Sequence, residues 1–87
     1  MSYDLYILYS PKISRYYIGI SSDANQRLIS HNNYPKGWTM RGVPWKLVFK
    51  KTFPDKAEAL YWERFIKRQK SRKVIEQIIS GEFEFRK

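Results

Sequence analysis

Two segments rich in strand-forming residues open the chain, and only a short turn separates them. The first is "YDLYILY" (residues 3–9), the second is "RYYIGI" (15–20), and Pro11 to Ser14 form the predicted turn. Aromatic and β-branched side chains favour extended backbone, and a link this short joins neighbouring strands in the antiparallel sense. The chain is therefore predicted to start with a β-hairpin that later elements must cover.

A short helix, a loop and a third strand are predicted next. "SSD" offers N-cap residues for a helix over "ANQRLISHNN" (24–33), which its closing asparagines can end. Residues 34–44 hold two prolines and two glycines, which predicts a loop. In "WKLVFKKTF", the apolar Trp45, Leu47 and Phe49 alternate with other residues, so a strand with one wetter face is predicted.

Two helices are predicted for the remainder of the chain. Asp55 followed by Glu58 has the spacing of a capping box, so a helix is expected from there to about Lys70. Ser71 can cap "RKVIEQIIS", which Gly81 stops, and "EFEFRK" is predicted as a tail or an extra edge strand. The order ββαβαα predicts an α+β fold: a small three-stranded, mostly antiparallel sheet with flanking helices.

The charge balance favours a polyanion as partner. The 87 residues carry a net charge of +9, and "KRQKSRK" (67–73) is the most basic segment. Nucleic acid is the first partner that such a bias suggests, and a solvated basic face is the alternative. The chain has no cysteine and one histidine, which disfavours zinc. No apolar run approaches the ~20 residues of a membrane span, so a cytoplasmic protein without membrane contact is expected by default.

Strand parity places a tyrosine and a glycine on one face of the second strand. Tyr16 shares an apolar face with two isoleucines and is predicted to be core, so Tyr17 and Gly19 lie on the opposite face. If Tyr6 lies on that same face, two phenols flank a spot left bare by Gly19, and a strand glycine often marks a close approach. Simple cross-strand packing of aromatic rings is the alternative.

Arg27 and His31 stand four residues apart and therefore lie on one face of the predicted first helix. Two like charges at this spacing repel, and an anion between them removes the repulsion. Arginine suits a phosphate because its donors form a planar fork. The alternative is a solvent-facing arginine beside an ordinary histidine.

Glu63 lies at the border between the apolar and basic sides of the predicted second helix. One interpretation is a salt bridge to Lys67, which follows it by four residues. The other is a carboxylate ligand for a hard cation such as Mg²⁺, which needs few protein ligands when phosphate and water complete its coordination. No second carboxylate is near in sequence, which argues against a two-metal site.

Five motifs in order resemble the GIY-YIG nuclease family, and the likeness is greatest to its small stand-alone bacterial members. "DLY" (4–6) and "YIG" (17–19) stand for the two triplets, Arg27 and His31 follow, and "EALYWERFIKR" looks like the metal-binding helix. The chain is also similar to the N-terminal domain of the excision-repair incision subunit, a larger member of the family. The likeness spans about residues 3–75, which implies one nuclease domain over 1–87 with a C-terminal helix and tail at 71–87.

The resemblance implies metal-dependent hydrolysis of phosphodiester bonds. By position, Tyr6 and Tyr17 would handle the attacking water, Arg27 would hold the scissile phosphate, and His31 would act as a base or orient the water. Glu63 would bind a single Mg²⁺ or Mn²⁺. The residues expected to contact nucleic acid are Gly19, Arg27, Lys67, Arg68, Lys70, Arg72 and Lys73.

Two departures from the family pattern bear on the base. Only the tyrosine of "DLY" matches the first triplet, and Ile20 stands where the repair enzymes have a lysine. Without that cation, less positive charge is available to lower a tyrosine pKa from ~10, whereas the ordinary histidine pKa is ~6.5. His31 is therefore favoured as the base.

Three functions follow as hypotheses. The first is a single-metal endonuclease acting on DNA, in a repair or recombination pathway. The second is a nucleic-acid-binding module that keeps the fold with little or no catalysis. The third is a partner-binding subunit that uses Trp38, Trp45 and the C-terminal helices. The sequence does not decide between DNA and RNA, between endonuclease and exonuclease action, or between oligomeric states.

Overall fold

The computed structural model describes residues 2–86. The elements are β1 (Tyr3–Ser10), β2 (Arg15–Ser21), α1 (Ala24–Asn33), a 3₁₀ helix (Gly37–Gly42), β3 (Lys46–Phe53), α2 (Lys56–Gln69) and α3 (Arg72–Ser80). The predicted α+β fold and the order ββαβαα are confirmed. The 3₁₀ helix lies within the segment predicted as a loop. Among the described residues, no helix is long and apolar enough to cross a membrane.

The three strands form one antiparallel sheet with β1 in the centre and the order β2-β1-β3. The hairpin register pairs Tyr6 with Gly19 and Leu8 with Tyr17. Facing residues in an antiparallel pair project to the same side, so Tyr6, Gly19 and Tyr17 share one face. Strand parity predicted this for Tyr17 and Gly19, and the register adds Tyr6.

β3 departs from simple alternation at Val48. The register of its pairing with β1 skips this residue, which is the signature of a β-bulge. One extra residue moves the following side chains to the other face of the sheet. Leu47 therefore packs beside Trp45 on one face while Phe49 packs on the other, and the predicted shared face of Trp45, Leu47 and Phe49 is wrong.

Both faces of the sheet are covered, which is why β1 is buried almost throughout. One face packs under α2 and α3, and its buried residues are Leu5, Ile7, Ile18, Phe53, Ala59, Trp62, Ile66 and Ile78. The other face packs under α1 and the 3₁₀ helix, and its buried residues are Tyr6, Leu8, Ala24 and Trp45. The candidate site residues of the hairpin, Tyr6 and Tyr17, project to this second, smaller face.

The helix ends follow the predicted caps. The side chain of Asp55 accepts a hydrogen bond from the Glu58 N–H at 2.9 Å, and that of Ser71 accepts one from Val74 at 3.3 Å. α3 ends at Gly81, whose φ of 87° is in the left-handed region that glycine adopts freely. Tyr16 packs against the larger core, as predicted.

The segment "EFEFRK" forms no strand over residues 82–86; Lys87 lies outside the described residues, as does Met1 at the other end. Its two phenylalanines instead pack against the larger core. The Phe85 ring lies 5.3 Å from Trp62 and 5.9 Å from Phe49, measured between ring centroids. The tail is thus part of the packed domain.

Candidate active site

Asp4 fixes the start of α1 against the sheet. Its carboxylate is nearly buried, and it accepts hydrogen bonds from the Ala24 N–H at 3.0 Å and from the Thr52 hydroxyl at 2.7 Å. Asp23 caps the same helix with its own side chain. Carboxylates at a helix N-terminus satisfy free N–H groups and complement the helix dipole. Together they hold α1 over the hairpin face that carries the two tyrosines.

Tyr6 lies across Gly19 and reaches His31. A Cβ atom at position 19 would stand 2.6 Å from Tyr6 Oη and 2.8 Å from Cζ, so only glycine leaves room for this phenol. The spot that was predicted to be bare is filled by Tyr6 itself, whose side chain is only 2% exposed. Its Oη lies 3.5 Å from His31 Nε2, which is long for a hydrogen bond.

We expect Gly19→Ala to lower the free energy of unfolding by about 1–3 kcal/mol, the range for overpacking a filled site. The added methyl meets the rigid Tyr6 ring, so the ring or the strand must move. Urea unfolding followed by circular dichroism measures the effect. In a Tyr6→Leu background, which removes the two nearest atoms and leaves Tyr17 Cε1 at 3.1 Å, the same substitution should cause a clearly smaller loss. An equal loss in both backgrounds would show that Tyr6 is not the cause.

Burial sets the protonation states of Tyr6 and His31. Burial raises the pKa of Tyr6 far above its usual value of ~10, and the charges of Tyr17 and Glu63 raise that pKa further while Arg27 lowers it. For His31, burial and then the positive charge of Arg27 lower the pKa below the ordinary ~6.5. At neutral pH the phenol therefore keeps its proton and the imidazole is uncharged.

A cleft of about 460 Å³ opens beside these residues, between α1 and the segment that follows it. Its walls are Tyr17, Arg27, Ser30, His31, Tyr34, Lys36, Trp38 and Thr39. Tyr17 and His31 form one end, with ring centroids 4.5 Å apart in edge-on contact. The two charged groups among the walls are both cations, Arg27 and Lys36. This cleft attracts anions, and Arg27 is oriented by the helix that also carries His31.

Two aromatic residues, Tyr34 and Trp38, form a wall of the cleft that was not among the predicted catalytic or nucleic-acid-binding residues. Tyr34 and Trp38 are 77% and 49% exposed, although aromatic side chains of this size are usually covered. A signal was present in the sequence: two large aromatic residues and a lysine lie in the Gly- and Pro-containing segment that follows His31. Aromatic faces next to basic groups are typical of surfaces that stack on nucleobases.

Trp45 supports this wall from beneath. Its indole N–H donates to the Thr39 carbonyl at 2.9 Å, its backbone N–H donates to Asn32 Oδ1 at 2.6 Å, and its carbonyl accepts from Asn32 Nδ2 at 3.0 Å. Trp45 is 2% exposed. It is therefore a core residue, and the part given to it in the partner-binding hypothesis is wrong.

Glu63 is largely covered and lies outside the walls of the cleft. Fifteen per cent of its side chain is exposed, and its carboxylate pairs with the Lys67 ammonium at 3.3 Å, so the predicted salt bridge is present. Its charge nevertheless reaches the hairpin, since it contributes to the raised pKa of Tyr6. Over residues 2–86 no three potential metal ligands cluster together. One carboxylate fits a single Mg²⁺ whose other ligands are phosphate and water, provided that Lys67 moves aside.

The seven residues predicted to contact nucleic acid fall into three groups. Arg27 lines the cleft. The five cations of "KRQKSRK" are all exposed, on the C-terminal end of α2 and the start of α3. Gly19 is different, because it is buried beneath Tyr6 and does not line the cleft. Glycine is therefore needed at this position to make room for Tyr6, and not for contact with a ligand.

The fold and the site define a class of protein: a small α+β domain whose tyrosine-bearing hairpin faces an arginine and a histidine on the next helix. The family model of the GIY-YIG catalytic domain matches residues 2–76, and the chain belongs to this family of nucleases. The predicted resemblance is confirmed.

The chain is also similar to two UPF0213 proteins. The chain is 40% identical over 57 residues to a UPF0213 protein of Streptococcus pneumoniae; the matched segment is 63% of this chain and 57% of that protein. The fold is similar to the solution NMR structure of a UPF0213 protein from Bacillus halodurans, with a TM-score of 0.60 and 33% identity. That likeness covers 92% of this chain and 84% of the other.

Proposed function

We propose that this protein is a divalent-metal-dependent endonuclease that hydrolyses phosphodiester bonds in nucleic acid, with DNA as its substrate in repair or recombination. The observation that carries the proposal is the convergence of Tyr17, Arg27 and His31 on one cationic cleft. Membership of the GIY-YIG family and the net charge of +9 support it. The screen that tests it incubates the protein with duplex, branched and single-stranded DNA and RNA, in Mg²⁺, in Mn²⁺ and in EDTA. If no substrate is cleaved in either Mg²⁺ or Mn²⁺, the proposal is refuted.

Glu63 would hold the Mg²⁺ or Mn²⁺. A bound divalent cation supplies Lewis acidity, which offsets negative charge on the reacting phosphate. The protein's own contribution to the same end is Arg27, whose guanidinium lies on the wall of the cleft and donates to phosphate oxygens. Charge stabilisation of this kind is commonly the largest part of enzymatic rate enhancement.

His31 is proposed to take the proton from the attacking water, with Tyr6 as a positioning residue. An uncharged imidazole has one free nitrogen, and Nε2 faces the Tyr6 hydroxyl. If Nε2–H donates to Tyr6 Oη, Nδ1 is left free to accept a proton. Because Tyr6 is buried, this role through His31 fits it better than direct contact with water, whereas Tyr17 lies on the wall of the cleft and can contact the water itself.

We expect the cleavage rate to rise with pH through a midpoint below the ordinary histidine value of ~6.5 and then to level off. His31 must be uncharged to act, and its pKa is lowered. Single-turnover rates between about pH 5 and 9 measure this profile. His31→Ala should remove the rise, and Tyr6→Phe should keep it at a lower plateau. A wild-type profile without this rise, or a rise that His31→Ala leaves in place, would contradict His31 as the base.

The same shift gives a stability effect of known sign. Because the folded chain binds the His31 proton more weakly than the unfolded chain, the unfolded state binds more protons at low pH. The free energy of unfolding therefore falls as the pH drops through the ordinary and then the lowered pKa of His31.

A nucleic-acid-binding module with little or no catalysis is the second candidate function. The observation that favours it is the Glu63–Lys67 ion pair, which occupies the single carboxylate of the candidate metal site. The cation-rich surface suits this function equally, since phosphate contacts alone give salt-dependent binding. If the protein binds the same substrates but cleaves none of them in Mg²⁺ or Mn²⁺, the binding module is the correct function.

A further inference from the structure

A second cleft, of about 290 Å³, lies between the hairpin turn and the junction of α2 with α3. The residues that matter for its chemistry are Ser14, Arg15, Tyr16, Lys67, Lys70 and Arg72. Three of the five cations of the basic segment therefore line this cleft. Arg15, which was not predicted to contact nucleic acid, lines it as well. Arg68 and Lys73 do not line it.

The charge of this cleft is of one sign. Four of its lining residues are cations and none is acidic. Lys67 and Arg72 each pair with a carboxylate outside the lining, at 3.3 Å and 3.5 Å. Arg15 and Lys70 are exposed and form no ion pair within the described part of the chain. Two cations facing one concave surface without counter-charges repel, and an anion between them removes that repulsion.

Arg72 is already oriented at the edge of the cleft. Its guanidinium donates to the Ser14 carbonyl at 3.0 Å and lies 5.2 Å from the centre of the Tyr16 ring. These contacts join the start of α3 to the hairpin and hold the charge in place. A cation fixed in this way loses little conformational freedom when an anion binds.

We propose that this second cleft binds a backbone phosphate of the nucleic-acid strand, away from the phosphate that is cleaved. The proposal rests on nucleic acid being the substrate. Lys67 connects the two sites, since it lines the second cleft and also pairs with Glu63. A strand bound beside Glu63 therefore meets Lys67 and, through it, the second cleft. The cleft positions the strand and reads no base.

The test is the salt dependence of DNA binding in EDTA, with the full chain and a fluorescent duplex. The double variant Arg15→Ala/Lys70→Ala should reduce the slope of the logarithm of the binding constant against the logarithm of salt concentration by about 1, for the one phosphate contact that is lost. The matched control is Lys46→Ala/Lys50→Ala, which removes the same charge from β3, the strand at the opposite edge of the sheet. The control should change the slope by less than half as much. Circular dichroism verifies the fold of both variants.

Equal reductions in the two double variants would overturn the proposal, because net charge alone would then account for binding. Tighter binding of anionic phospholipid vesicles than of DNA, lost in the same double variant, would overturn it in favour of a membrane surface. The proposed nuclease activity is judged separately, by cleavage in Mg²⁺ with Glu63→Ala as reference. If the two double variants differ in slope but the protein cleaves no substrate, phosphate binding in the second cleft is supported and the proposed nuclease activity is refuted.

Discussion

Replacing Glu63 by alanine is expected to abolish metal-dependent cleavage, with a fall in single-turnover rate of at least ~10³-fold. Glu63 is the one carboxylate that its helix presents toward the hairpin site, and no described cluster of carboxylates can take its place. Its ion pair with the exposed Lys67 contributes only about 0.3–0.5 kcal/mol to stability, as is usual for such helical pairs. The variant should therefore fold as the wild type does while losing the metal.

Glu63→Gln and Glu84→Ala complete this experiment. Glutamine keeps the size of the side chain and removes its charge, so it should fail to cleave as alanine does. Glu84 likewise forms an ion pair, in its case with Arg86, but it is exposed in the C-terminal tail, and its loss should leave the rate unchanged. Full activity of Glu63→Ala, or full activity of the wild type in EDTA, would contradict the metal role of Glu63.

Arg27→Ala is expected to reduce the cleavage rate by about 10²–10³-fold while weakening DNA binding by less than about tenfold. In the proposed mechanism the guanidinium stabilises charge that grows on one phosphate, whereas many other cations contribute to binding. Arg27→Lys should recover only part of the rate, because an ammonium group lacks the planar fork of donors. Single-turnover rates at saturating protein, with dissociation constants measured in EDTA, separate the two effects.

The pH profile provides a further check on Arg27. Its charge lowers the pKa of His31, so its removal should move the midpoint of the rate profile to higher pH. Arg41→Ala is the matched control, since Arg41 is an exposed arginine of the 3₁₀ helix that does not line the cleft. Lost binding at an unchanged rate would make Arg27 a docking residue and contradict its proposed role.

Local sequence signals predicted the secondary structure well because the elements have strong ends. Asp23, Asp55 and Ser71 each cap a helix as their positions predicted, and Gly81 stops the last one. Strand parity in the hairpin also held, since a tight turn fixes the register. These features depend on residues within a few positions of one another.

Features that depend on distant residues were not predictable in this way. The bulge at Val48 is visible only in the pairing of β1 with β3. Asp4 bonds to Thr52, which is 48 residues away, and the cleft wall rests on the Asn32–Trp45 contact across 13 residues. Neither the periodicity of the sequence nor its helix caps indicate such contacts. The sequence therefore did not predict that Asp4 holds the start of α1, or that Tyr34 and Trp38 line the cleft.

For the candidate site, the sequence placed residues on faces but could not give their depth. The shared face of Tyr6, Gly19 and Tyr17 is present, yet Tyr6 is buried and fills the space above Gly19. How deep each side chain lies depends on how α1 packs over the sheet. The proposed mechanism requires Glu63 and the cleft to act as one site.

NMR line broadening by Mn²⁺ in the presence of a short DNA is the most direct test of that central claim, and a 10.6 kDa chain suits the method. One shared site predicts that the signals of Glu63 and its neighbours on α2 broaden together with those of Tyr17, Arg27 and His31. It also predicts that Glu63→Ala abolishes both effects. Broadening at Glu63 alone, or broadening that persists in Glu63→Ala, would contradict the account.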